Sequence, residues 1–231
     1  MTTVGDTSEG SPTRLVLPFA GRWLTQNSPA RRVPSHGTDL WGERYAIDFV
    51  AVDQRGRTAE TSDWRTLFDT EPPERFFAFG RPILAPTGGA VVVAHDGETD
   101  HPARRSQLAL VPYMLGQRER LRQGVSAIAG NHVVIALPEG GFVALVHLRR
   151  GSLRVSPGDA VATGQQLAEC GNSGNSTQPH VHVQVMDRAE PSGARGIPME
   201  FAGFNEWVAG ARHPQFVRFG MPGERSIVEP G

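Results

Sequence analysis

The chain has 231 residues, enough for one well-buried domain or at most two small ones. Its 23 positive and 24 negative side chains nearly cancel, so it offers no basic field to a nucleic-acid backbone. Every positive is Arg, which excludes Schiff-base lysine chemistry and the phosphate-binding lysine of a P-loop; a single Cys, Cys170, closes no intrachain disulfide, so any metal must sit on His and carboxylates.

From the amino terminus, Met1 to Thr13 is polar and rich in Gly, Ser and Thr, a flexible segment without the basic start and apolar core of a secretory signal. Residues 14–210 read as one domain and 211–231 as a C-terminal extension. Gly 27 and Pro 18 set a density of breakers that favours short strands. The runs Leu15 to Phe19, Tyr45 to Val52, Ile83 to Ala85, Ala90 to Ala94, His132 to Leu137, Phe142 to Leu148, Ala160 to Ala162 and His180 to Met186 are rich in Val, Ile, Leu and Phe. Each is bounded by Gly, Pro, Asn or Asp, and their spacing predicts a mainly β fold of antiparallel strands. Glu139-Gly140-Gly141 reads as a hairpin turn, and Gln54 to Glu74 as a long excursion from the sheet. Helical periodicity is weak, with Tyr113 to Gln123 and Met199 to Val208 the two short helices expected. No apolar stretch approaches the roughly 20 residues that span a bilayer, and no export address is visible.

The chemistry centres on Pro179-His180-Val181-His182-Val183-Gln184-Val185. In a strand His180 and His182 project to one face while the valines enter the layer opposite, giving a pair suited to metal or proton transfer. A second element is Asp48 within Ala46-Ile47-Asp48-Phe49-Val50, a carboxylate in an apolar strand that needs a metal, backbone donors or an ion pair, for which Arg44 is at hand. The third is His147 in Val143 to Leu148, which strand alternation places with Val143 and Leu145, as a core histidine or a catalytic one. His95, His101 and His213 read as solvated, His132 as a residue at a groove rim, and Cys170 as a small packed side chain.

Taken together, the order and context of these residues from about Phe79 to Asp187 resemble the lysostaphin/LytM-type zinc endopeptidases. Phe79 to Gly89 looks like that family's entry strand and turn, Gly130 to Ile135 like its central strand, and Gly151 to Gln165 like its paired-glycine turn. Cys170-Gly171-Asn172-Ser173-Gly174-Asn175-Ser176-Thr177-Gln178-Pro179-His180-Val181-His182 is similar to the loop that delivers its HxH motif. The resemblance implies a β-rich fold, the duplicated hybrid motif, with sheets forming a groove. It further implies one zinc held by Asp48, His182 and an upstream His, with His180 and His147 beside a metal-activated water. The family's usual upstream His stands four residues before the Asp, where this chain has Arg44. His36, in Pro34-Ser35-His36-Gly37, is the replacement ligand expected, presented by a fold-back of the linker Gly37 to Gly42.

Two imidazoles and one carboxylate leave Zn²⁺ an open fourth position, as in a hydrolytic rather than a structural site. One of His180 and His147 would then assist the water and the other would meet the developing oxyanion. The function implied by the resemblance is endopeptidase action on peptidoglycan stem peptides or cross-bridges. The alternatives are a peptidase of intracellular peptides and a noncatalytic binding or regulatory module, the latter favoured by Arg44 at the ligand position. The partner expected is a peptide or peptidoglycan, not nucleic acid.

Overall fold

The computed structural model describes residues 11–61, 66, 69–104 and 125–231. The N-terminal residues 1–10 and the helix expected over Tyr113 to Gln123 lie outside the described residues. Thirteen strands follow in chain order: β1 (Thr13–Leu15), β2 (Trp23–Gln26), β3 (Ile47–Ala51), β4 (Pro82–Leu84), β5 (Gly89–His95), β6 (Asn131–Ala136), β7 (Phe142–Leu148), β8 (Ala160–Val161), β9 (Gln166–Glu169), β10 (Val181–Met186), β11 (Met199–Trp207), β12 (Gln215–Gly220) and β13 (Ile227–Pro230). One short helix, α1 (Val125–Ala129), precedes β6, and a distorted 3₁₀ segment, Leu40–Tyr45, precedes β3. Among the described residues no helix is long and apolar enough to cross a membrane.

Eleven strands form one sheet, ordered β1-β11-β13-β2-β3-β10-β7-β6-β5-β8 with β12 on the outer side of β11, and β4 pairs with β9 in a second, small sheet. The pairings are antiparallel except β1 with β11, which runs parallel over Thr13–Leu15 and Met199–Phe201. Seven of the eight sequence-predicted runs contain or overlap a strand of at least two residues, whereas Leu15 to Phe19 meets β1 only at Leu15 and continues as irregular chain that buries Leu17 and Phe19 in the core. Met199 to Val208, expected as a helix, is instead the nine-residue strand β11. Its apolar positions Met199 and Phe201 alternate strictly, and strands on both sides supply the ladder bonds that outweigh a weak helical period. The residues after 210 place β12 and β13 in the main sheet, β13 lying between β11 and β2.

Period-two alternation explains how the sheet makes both a core and a site. Ile47, Phe49 and Ala51 of β3, with Val181, Val183 and Val185 of β10, enter one buried cluster. Ile83, Leu167 and Ala168 of the small sheet reach the same cluster, which Phe19 stacked on Trp23 at 4.4 Å completes. The cluster also holds Cys170, fully buried, with burial raising its thiol pKa and keeping it unreactive. The intervening side chains, Asp48, His182 and Gln184, consequently project to the opposite face. That face contributes to a cavity of about 440 Å³ that Trp41, Glu43, Ile128, His132 and Pro191 also line.

Candidate metal centre

Asp48 and His182 are register partners in the antiparallel pair of β3 with β10. The carboxylate Oδ1 lies 2.9 Å from His182 Nδ1, and Oδ2 lies 3.1 Å from His36 Nε2. One donor atom from each of His36, Asp48 and His182 falls within 4.8 Å of the others, the geometry a single ion can bridge. The sequence-predicted ligand set is thus brought together. Arg44, the alternative partner for Asp48, is turned elsewhere: its Nη1 meets Asp39 Oδ1 at 2.7 Å and its Nε meets Tyr45 Oη at 3.3 Å. No arginine neutralises Asp48 among the described residues; imidazoles do, with Asn27 Nδ2 donating to Oδ2 at 2.7 Å.

His36 is delivered by the loop before the 3₁₀ segment. Ser35 N donates to Arg44 O at 3.0 Å, so the loop folds back onto that segment. Ser35 Oγ donates to Glu43 O and accepts from His36 Nδ1 at 3.0 Å, which leaves Nε2 as the atom facing Asp48. Gly42, at φ 78, permits the tight turn: a Cβ there would come within 2.6 Å of Met186 Cγ.

Around His182 a second chain of bonds fixes which nitrogen faces the carboxylate. Trp41 O can only accept, so Gln184 must point its amide nitrogen there, at 2.7 Å, and present its oxygen to His182 Nε2 at 2.8 Å. His182 Nε2 therefore carries a proton, and Nδ1 is the atom presented to Asp48. Burial disfavours the charged imidazole, but Asp48 outweighs it and raises the His182 pKa to about 9. Burial likewise pushes Asp48 up, yet His36, His180 and His182 together hold it well below the usual carboxylate range. The His182 imidazolium and the Asp48 carboxylate thus form an ion pair at the point where the three donor atoms converge, so a proton and a cation compete for the same position.

His147 departs from the alternation that its sequence suggests. β6 and β7 pair Asn131 with Leu148 and then Val133 with Leu145, so β7 carries one extra residue there. His147 itself has φ 64, a conformation that non-glycine residues seldom adopt. This bulge turns the imidazole off the core side of Val143 and Leu145 and into the cavity, 4.6 Å from the His180 ring between centroids. Its Nδ1 donates to Ser173 O at 2.9 Å, leaving Nε2 as the acceptor. Ser173 is tied by Oγ to Leu148 O at 2.8 Å and to Asn131 N at 3.0 Å. His180 is held similarly, with Nδ1 donating to Gln178 O at 2.8 Å and Nε2 lying 3.7 Å from Asp48 Oδ1. Burial lowers the pKa of both rings, so both are neutral at pH 7 with a lone pair in the groove.

The sequence reading missed Asn27, Ser35, Ser173 and Gln184; the first three depend on loops and register that no local pattern encodes. Gln184 alone had a signal, standing two residues after His182 on the same strand face. Of the remaining histidines, His132 lines the cavity and stacks on His95 at 5.3 Å. His101, expected to be solvated, is tied by Nε2 to Gly174 O at 2.8 Å.

Residues 119–193, about a third of the chain, match the family model described as Peptidase family M23. The match spans His147, His180 and His182, while His36 and Asp48 precede it. Among solved structures, the chain is similar to the catalytic domain of lysostaphin from Staphylococcus simulans at 17% identity, covering 77% of this chain and 88% of that one with a TM-score of 0.39. It is similar to the catalytic domain of the prophage-encoded M23 protein EnpA from Enterococcus faecalis at 18% identity, covering 82% and 90% with a TM-score of 0.39. A third likeness is to the M23 metalloprotease pseudoalterin from the deep sea, at 12% identity over 92% of this chain and 96% of that one, with a TM-score of 0.44.

Proposed function

From the match of residues 119–193 to the model of peptidase family M23, we propose that the chain is a zinc-dependent endopeptidase of that family, acting on the stem peptides or cross-bridges of peptidoglycan. The observation that carries this reading is the convergence of His36 Nε2, Asp48 and His182 Nδ1 within 4.8 Å, beside two neutral imidazoles. Two nitrogens and one carboxylate suit zinc with a fourth position open, and each histidine is oriented by a partner on its far nitrogen. Zinc held there supplies Lewis acidity, which acidifies water and polarises a peptide carbonyl.

The remaining work falls to the side chains. His180 Nε2, beside Asp48, is the better proton acceptor of the two free imidazoles, because the carboxylate stabilises its protonated form. His147 Nε2 faces the same space and hydrogen-bonds the attacking water or takes up the second proton. Protonated, either ring becomes a donor to the oxyanion or the leaving amine. Asn175 Oδ1, buried in the cavity wall with no hydrogen-bond partner among the described residues, offers an acceptor to a substrate N–H.

Elemental mass spectrometry of the purified, tag-free chain is expected to find about one zinc per chain. Digestion of purified sacculi by the zinc-loaded protein is expected to free new amino groups. Zinc-loaded protein that leaves every cross-link intact would overturn the peptidoglycan assignment and turn the search to other peptides. Failure to take up metal after reconstitution would leave the noncatalytic binding module.

A further inference from the structure

Away from the metal centre a second cavity, of about 350 Å³, opens where three turns meet: residues 53–56 after β3, residues 208–212 after β11, and Arg225 before β13. Its lining carries four arginines, Arg22, Arg55, Arg212 and Arg225, against a single carboxylate, Asp53. That carboxylate is already committed. Its Oδ1 accepts the backbone N–H groups of Arg55 and Arg57 at 2.9 Å each, and its Oδ2 pairs with Arg57 at 2.7 Å. Arg22 is shared between Glu229, at 3.4 Å, and the face of Trp207, 4.4 Å from the ring centroid. Arg55, Arg212 and Arg225 have no carboxylate partner among the described residues. Arg225 moreover holds φ 62, its N–H tied to Thr25 O at 2.9 Å, so its side chain leaves the backbone from a conformation that is unusual for any residue but Gly.

Register places this cavity on the face of the sheet that bears the metal centre. Asp48 stands opposite Gln26, Val50 opposite Leu24, and Leu24 opposite Ile227. Arg22 continues the alternation of Gln26 and Leu24, four residues or about 13 Å along the strand from the row that holds Asp48. Unpaired guanidiniums gathered at one concavity repel one another, and their planar forks match the oxygens of a phosphate group. Trp207 and Ile227 supply an apolar wall for the carbon part of an ester.

We propose that this cavity is a phosphate-binding subsite, taking either inorganic phosphate or one phosphodiester of an anionic polymer. The test is a titration of the full, metal-loaded chain followed through the indole N–H cross-peak of Trp207, assigned with the Trp207→Phe variant. The probes are inorganic phosphate and a short poly(glycerol phosphate). A saturable shift with a Kd of about millimolar for inorganic phosphate is expected, weakened roughly tenfold or more in the Arg55→Gln/Arg212→Gln double variant, whose substitutions lie on exposed loops. Tighter binding of the polymer per phosphate identifies a polymer ligand, and equal binding identifies the free anion. Phosphate reaching the metal instead moves Trp41, which lines the other cavity, and leaves Trp207 still. A Trp207 signal that does not shift, or that shifts equally in the double variant, overturns the proposal. Metal content and hydrolysis of a short neutral peptide stay unchanged in that variant, so the peptidase reading stands or falls separately.

Discussion

Asp48 and His182 project from β3 and β10, opposite each other in a regular antiparallel pair, whereas His36 comes from a loop and His147 from the bulged end of β7. The first pair is placed by sheet register alone, so any chain that forms the two strands brings the two side chains together. The second pair depends on local exceptions: a serine that ties down its neighbour, a glycine turn, and a left-handed residue one position from the end of a strand. The proposed metal cluster therefore rests on both kinds of architecture, while the placement of His147 beside it rests on the bulge.

The strongest way to break the regular half is His182→Ala. Loss of metal from about one ion per chain to background, with peptide hydrolysis down by roughly four orders of magnitude, is expected by elemental analysis and rate assay. On the irregular half, His147→Ala should lower kcat by about 10²- to 10³-fold with metal content intact. His147→Asn tests the bulge itself. Asn tolerates the left-handed region, so thermal stability should hold closer to the parent than in the Ala variant, while kcat stays as low.

This contrast also marks what was legible in the sequence. The alternation of Val181, Val183 and Val185 announced that His182 would leave the core, and the apolar strand around Asp48 required a partner for it; both were visible because a period of two is a local property. The side of the sheet taken by His147 was not, since a bulge depends on the registers of two strands at once. Met199 to Val208 misled for a related reason, because weak local periodicity yields to ladder bonds from distant strands. Asn27 and Ser35 carried no pattern, their function being set by which atoms approach them in three dimensions.

Smaller effects sharpen the comparison further. Gln184→Leu removes the acceptor that holds His182 Nε2–H and should weaken zinc affinity about 10- to 100-fold in competition with a chromogenic chelator. Proton competition follows from the His182 pKa of about 9 in the metal-free chain. Because that value is raised above the unfolded one, near 6.5, the His182–Asp48 pair stabilises the metal-free fold fully below pH 6.5. The contribution is lost as pH rises through 9, and over the same window apparent metal affinity should climb about tenfold per pH unit until it levels off. Thermal melts and metal titrations across pH 6 to 10 check both signs. The smallest effect belongs to Arg44→Ala: with its guanidinium on Asp39 rather than Asp48, metal content should be unchanged. Loss of metal in that variant would show that the loop presenting His36 depends on a surface ion pair.

The 134 positions that separate Asp48 from His182 along the chain impose an order on assembly. Closing so long a loop carries its entropy cost before the contacts between β3 and β10 offset it, and sheets joined by such distant pairings are slow to form. An incompletely folded chain has no preassembled pair to offer a metal ion. One-to-one metal uptake by the proposed site would therefore serve as a clock, its onset dating the moment when the middle of the sheet closes.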